Sequence, residues 1–225
     1  NNYTINYSCS SDNGYCGINH NPNCTTSVGV QRWVGGTDDY RYQRLNTSET
    51  NLTVIGQLNT SIINPIDGII VNRNENVTFN ATVHNDCNEK INDSSVNWYN
   101  ESWGLIAQGY NTTWTVPSYY KLGPSTVYVN ASRQYYDVGA NSSNIYVYGW
   151  SEADDITPAN GSDYVAGLSV NVKCHIRDAD ELNSIENYTV RFYKNGTLVK
   201  TTLTESDGWA TWSWSTASET PGWYN

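Results

Sequence analysis

Two stretches of strict two-residue alternation constrain this chain more than any other feature. Residues 77–84 read VTFNATVH and residues 168–175 read LSVNVKCH. In the first, Val77, Phe79, Ala81 and Val83 share one face, and Thr78, Asn80, Thr82 and His84 share the other. In the second, Leu168, Val170, Val172 and Cys174 oppose Ser169, Asn171, Lys173 and His175. Successive side chains of an extended strand point to opposite faces, so this pattern marks strands with one face in a core. No segment of a dozen residues shows the 3.6-residue period of a helix. Short alternating runs bounded by Asn, Gly, Pro and Asp fill the rest, and the chain reads as all-β.

The alternation recurs as a set. VNWYN at 96–100 matches VRFYK at 190–194, which gives Trp98 and Phe192 the same inward position. TTWTV at 112–116 matches ATWSW at 210–214, and Gly123-Pro124 matches Pro221-Gly222. Matched positions lie 91 to 98 residues apart, and the alignment pairs Val83 with Cys174 and His84 with His175. One repeat is then a sandwich of about seven strands with immunoglobulin-like architecture. Residues 58–149 are expected to form one complete sandwich, closing with strands at 127–131 and 144–148. Residues 150–225 begin a second whose last two strands are missing. Residues 1–57 read as an irregular β domain or domain fragment carrying a Cys cluster. Residues 1–9 alternate Tyr3, Ile5, Tyr7 and Cys9, as the tail of a cut domain or as a strand donated to a neighbour.

Sixteen Asn-x-Ser/Thr sequons begin at Asn2, Asn6, Asn23, Asn46, Asn51, Asn59, Asn76, Asn80, Asn92, Asn100, Asn111, Asn130, Asn141, Asn160, Asn187 and Asn195. Random placement of the chain's 30 Asn among its Ser and Thr would give about six. A sequon accepts an N-glycan and implies a surface position in an exported protein. A formal charge of −10 argues against nucleic acid, whose phosphates attract basic patches. No apolar run reaches the length of a membrane span. The chain has no Met and no signal peptide, so Asn1 reads as a processed or cut end.

With the strands of residues 77–98 and 168–214 in view, the chain resembles the Ig-like repeats of large archaeal and bacterial surface glycoproteins and adhesins. The resemblance covers about residues 58–225. It implies extracellular scaffolding, adhesion or filament building, and it carries over no catalytic residues.

Five cysteines, Cys9, Cys16, Cys24, Cys87 and Cys174, suggest disulfides plus one thiol left over. A local Cys9–Cys16 bridge is expected, leaving Cys24 to seek another partner. Cys174 sits mid-strand and inward, where it would bridge to the missing penultimate strand or to Cys9 of a next subunit. A zinc site from Cys9, Cys16, His20 and Cys24 is not expected, because the tight C-x2-C knuckle is absent and oxidised thiols pair. Asp178, Asp180 and Glu181, with Asp154 and Asp155 at the linker, are a calcium candidate, though DADELNS lacks the Gly and terminal Glu of an EF-hand. No other cofactor is expected. No HExxH, GxSxG or P-loop is present, and the chain does not read as an enzyme.

The expectation is a heavily N-glycosylated extracellular structural protein at the cell surface. It would be a building unit of a filament or large adhesin, and its partners would be other copies of itself. The alternative is a lectin-like, carbohydrate-binding module. Trp212 and Trp214 fall in phase with core positions, whereas Trp209 and Trp223 are free to stack on sugar rings or meet a neighbouring subunit.

Overall fold

Alternation becomes strand throughout the computed structural model, which describes residues 17–37, 40–101 and 104–224. Among the described residues, seventeen strands form five sheets and there is no helix. A two-stranded antiparallel ribbon comes first, β1 (Gly29–Trp33) with β2 (Thr50–Val54).

Two facing sheets follow as unit one. One orders β4 (Ile69–Asn72), β12 (Gly139–Tyr148), β10 (Gly123–Ser132), β7 (Ser95–Asn100) and β8 (Gly104–Gln108). The other orders β11 (Tyr136–Asp137), β3 (Gly56–Asn64), β5 (Asn76–Asn85) and β6 (Lys90–Ile91), with β9 (Asn111–Thr115) also on β5. The core lies between them. Val77, Phe79, Ala81 and Val83 of β5 are at most 3% exposed and face Trp98, Val127, Val129, Ile145 and Val147, all at 0%. Phe79 stacks on Trp98 with centroids 4.8 Å apart, and on Trp114 at 6.0 Å. Tyr120 meets Trp114 edge-on at 5.2 Å. Such offset and edge contacts add to the area that aromatic rings bury.

Unit two repeats the front of this plan. β13 (Ser151–Thr157), β14 (Ser169–Asp178) and β17 (Trp209–Ser215) form one sheet, and β15 (Thr189–Lys194) and β16 (Thr197–Leu203) the other. Phe192 takes the place of Trp98 and is 8% exposed. Among the described residues, nothing stands where β10 and β12 stand in unit one. Both units are immunoglobulin-like sandwiches in tandem, the second without a β10–β12 hairpin among these residues.

Strand register corrects the repeat alignment. Leu58 pairs with Asn85 and Asn64 with Asn80; in unit two Ser151 pairs with Asp178 and Thr157 with Lys173. A constant spacing of 93 residues relates the two sets. Val77 therefore matches Val170, Ala81 matches Cys174, and His84 matches Arg177. The expected pairings of Val83 with Cys174 and His84 with His175 are two residues out. Trp114 opposes Val77 and Trp214 opposes Val170, so Trp214 is the true counterpart of Trp114, and the matched β9 and β17 segments were two residues out as well. A shift of two preserves the face of every side chain. The inward sets survived for that reason, except Leu168. It takes the place of Glu75 in the loop before the strand and is 59% exposed.

Candidate functional site at the joints and faces of the units

The ribbon meets unit one, and unit one meets unit two, through joints of one design. Val54 runs into β3 through Ile55, and Tyr148 runs into β13 through Gly149 and Trp150. Gly56 and Gly149 are equivalent under the 93-residue spacing, and an added side chain would clash at Gly56 and press lightly on its neighbour at Gly149. A Cβ on Gly56 would lie 2.6 Å from Tyr136 Cε1 and 2.9 Å from Val28 Cγ1. A Cβ on Gly149 would lie 3.2 Å from Leu122 Cδ2. Val28 stands one residue before Gly29, as Leu122 stands one before Gly123, so an apolar side chain at the equivalent position meets the glycine of each joint.

The loops after β5 and β14 supply the other half of each joint. Asn85 Oδ1 accepts the backbone N–H groups of Cys87 and Glu89. Its counterpart Asp178 uses Oδ1 in the same way, on the N–H groups of Asp180 and Glu181. Each loop is then fastened to the preceding body, by different chemistry. Cys87 is bonded to Cys24, with Cα atoms 5.5 Å apart. In the second joint, Asn74 Nδ2 donates to Asp180 Oδ1 at 2.8 Å. Arg73 is 5% exposed; its Nη1 lies 2.8 Å from Asp178 Oδ2 and its Nη2 3.2 Å from Glu181 Oε1. Its Nε donates to the Tyr120 carbonyl at 2.7 Å. A guanidinium desolvated on three sides needs this number of acceptors.

The acidic loop offered as a calcium site is thus occupied by a cation from the neighbouring unit. Asp154 is engaged separately, by His175 and Arg177. Among the described residues, no group of three or more His, Cys, Asp or Glu is arranged to hold a metal. Cys24 is spent in the disulfide, so it is no zinc ligand. Cys9 and Cys16, with Asn2 and Asn6, lie outside the described residues. Cys174 is a free thiol, half-buried on β14. Burial, and then the nearby Asp154 carboxylate, push its pKa up.

His175 draws together the residue types of a hydrolytic triad. Nδ1 faces Asp154 Oδ1, and Nε2 lies 3.0 Å from Ser184 Oγ and 3.0 Å from the Asp207 carbonyl. A carbonyl oxygen only accepts. Nε2 is therefore divided between the Asp207 carbonyl, which needs a ring N–H, and the Ser184 hydroxyl, which either tautomer can meet. The arrangement fastens two loops to β14.

The sequons spread over both units. Of the fourteen within the described residues, Asn23, Asn46, Asn51, Asn59, Asn76, Asn92, Asn111, Asn141, Asn160, Asn187 and Asn195 are exposed. Asn80 and Asn130 are half-buried. Asn100 is the exception. It is 2% exposed, and its Nδ2, the atom a glycan would occupy, donates to Ser125 Oγ at 2.6 Å and to the Thr126 carbonyl. The folded protein has no room for sugar there. Asn59, Asn76, Asn80 and Asn111 share the outer face of the β3–β5–β9 sheet, with Asn80 directly opposite Asn111.

The tryptophans divide as follows. Trp212 and Trp214 are half-buried and stacked 6.0 Å apart. Tyr224 meets Trp214 edge-on at 5.2 Å, as Tyr120 meets Trp114. Lys194 Nζ lies 2.6 Å from Glu219 Oε1 and over the Trp214 ring. Trp209, expected to be free, leans on the His175 ring, and Trp223 is 86% exposed. Sequence reasoning missed the joints, since a glycine at a domain seam and an Arg reaching 105 residues ahead leave no local pattern.

No family model matches the chain, and no curated protein matches it. Comparison with solved structures finds a tetra-tandem repeat from the extending region of a large adhesion protein, at 16% identity and TM-score 0.38. The match covers 87% of this chain and 50% of that one. Fibronectin(III)-like modules of Clostridium thermocellum CbhA match at 18% identity and TM-score 0.32, over 68% of this chain and 77% of theirs. The N-terminal eight Ig domains of Down Syndrome Cell Adhesion Molecule match at 13% and 0.33, over 75% and 22%.

Proposed function

We propose that this chain is an N-glycosylated extracellular structural protein, a building segment of a surface filament or large adhesin whose sandwiches are joined end to end. The observation that carries this reading is the repetition of one joint. The same glycine, an apolar side chain against it and the same strapped loop recur between successive bodies, as in an array that transmits orientation from unit to unit. Sequons at exposed positions on both units fit a sugar coat that shields strand edges from pairing and from proteases. The disulfide fits an oxidising compartment.

The test has two readouts on protein secreted from a glycosylating host. Intact mass should exceed the 25.2 kDa polypeptide by several glycans. Electron microscopy should show slender, end-to-end bodies. Bare-chain mass together with a single round particle would overturn the reading.

A further inference from the structure

We propose that the glycan on Asn130 lies back on the outer face of unit one, seated on an apolar row made by Tyr128, Tyr99 and Leu105. The inference rests on the glycosylated reading above and names where one sugar chain is held.

Strand register places the row. On the β4–β12–β10–β7–β8 sheet, Tyr128 of β10 opposes Tyr99 of β7, and Tyr99 opposes Leu105 of β8. Val127, Val129 and Trp98 are wholly buried, so alternation turns Tyr128 and Tyr99 outward. Both tyrosines are half-exposed and Leu105 is exposed. The Tyr128 hydroxyl donates to Glu101 Oε1 at 2.6 Å, which fixes that ring by its tip.

Asn130 stands in the next row of the same face. It follows Tyr128 by two residues, about 7 Å along an extended strand. It opposes Asn97, whose Oδ1 accepts from Gln108 Nε2 at 2.8 Å. Residues 130–132 read NAS, a sequon. Among the described residues, no hydrogen bond engages the Asn130 side chain. Asn100 and Asn141 differ, for their Nδ2 atoms donate to Ser125 Oγ and to the Thr60 carbonyl. Asn130 therefore keeps free the nitrogen that a sugar takes.

The neighbours of Asn130 choose the direction. Tyr128 lies on one side along the strand, and Ser132, opposite Ser95, on the other. The C–H groups of a pyranose form an apolar, weakly positive face, and an aromatic ring presents the negative face of its quadrupole. The first sugar thus stacks on tyrosine and not on serine. Because it is bonded to Nδ2, the contact is intramolecular and needs no encounter. The amides of Asn97 and Gln108 offer donors and acceptors to its polar groups. The opposite sheet has no such seat for Asn80. Its same-face neighbours on β5 are Thr78 and Thr82, and Asn111 lies across from it. A sugar there stands off into solvent, whereas the one on Asn130 packs as part of the protein surface.

The test is local hydrogen exchange on protein secreted from a glycosylating host, with occupancy at Asn130 read by mass spectrometry of its peptide. Asn130→Gln should lower the protection of the β7 and β10 backbone amides by about fivefold or more, the scale of one ring-on-ring contact. In a Tyr99→Thr, Tyr128→Thr background the same substitution should change protection less than about twofold. In protein from a non-glycosylating host, its effect should also stay under about twofold. Nuclear Overhauser contacts between the first sugar and the Tyr128 or Tyr99 ring should appear in the unaltered glycoprotein, a readout that needs no variant to fold. An occupied Asn130 without these contacts or without the fivefold loss would overturn the proposal. So would a loss that persists without the glycan or without the tyrosines. An unoccupied Asn130 beside occupied sequons would refute this seat and leave the glycosylated reading standing. A bare chain at every sequon would remove both together.

Discussion

Single residues show how much period-two alternation can and cannot determine. Trp98 lies at the centre of unit one at 0% exposure, stacked on Phe79, with Nε1 donating to the Gly109 carbonyl at 3.0 Å. Trp98→Ala should cost about 3–5 kcal/mol, read by chemical denaturation. Phe192→Ala should cost less, because Phe192 is 8% exposed and the smaller ring. Equal losses would show that the two cores are equally closed. Asn100 was legible as a sequon and illegible as a core residue, since sequon spacing carries no information about depth. Asn100→Ala should leave the glycan mass unchanged and destabilise unit one by about 1–3 kcal/mol, the cost of stranding buried polar groups. A fall in mass by one glycan would contradict the buried position.

At the scale of elements, strand faces were readable and register was not. Degenerate Val-x-Val patterns align equally well with a slip of two, and only cross-strand pairing shows which register holds. The ribbon escaped notice for a related reason. β1 and β2 are five residues each and separated by a long loop, too short for alternation to stand out. The second joint rests on Arg73, and breaking one side of a buried ion pair leaves a charge without its partner. Arg73→Ala should lower the stability of the joint by about 3–5 kcal/mol. Small-angle scattering should then record a broader distribution of angles between units. An unchanged scattering curve would show that Asn74 and the backbone alone hold the joint.

For the whole molecule, acid is the revealing perturbation. Hydrogen bonding to His175, with Arg177 nearby, holds the Asp154 pKa below its ordinary value. Hydrogen bonds from Lys194 and Trp214 do the same for Glu219. A carboxylate whose folded pKa is depressed contributes fully above its unfolded pKa and loses that contribution as pH falls through the folded value. The melting temperature of unit two should therefore be flat above about pH 5 and decline below about pH 4. Asp154→Asn with Glu219→Gln should flatten the decline. An unaltered acid profile in that double variant would assign the effect to other groups.

The Cys24–Cys87 bond has a mechanical consequence. It spans 63 residues of sequence. A pull applied through the amino-terminal side reaches Cys24 and crosses directly to Cys87, so the polypeptide between them, β1 through β5, bears no tension. The strand junction of the first joint lies inside that bypassed loop, whereas that of the second, strapped by an ion pair, stands in the load path. Stretched on a force microscope, the oxidised chain should yield at the second joint and in unit two while the ribbon keeps its place. Reduction should add about 200 Å of extensible contour, the length of the released loop at 3.3–3.6 Å per residue. The chain thus has a redox-set limit to its extension, located at the seam where its first and second bodies meet.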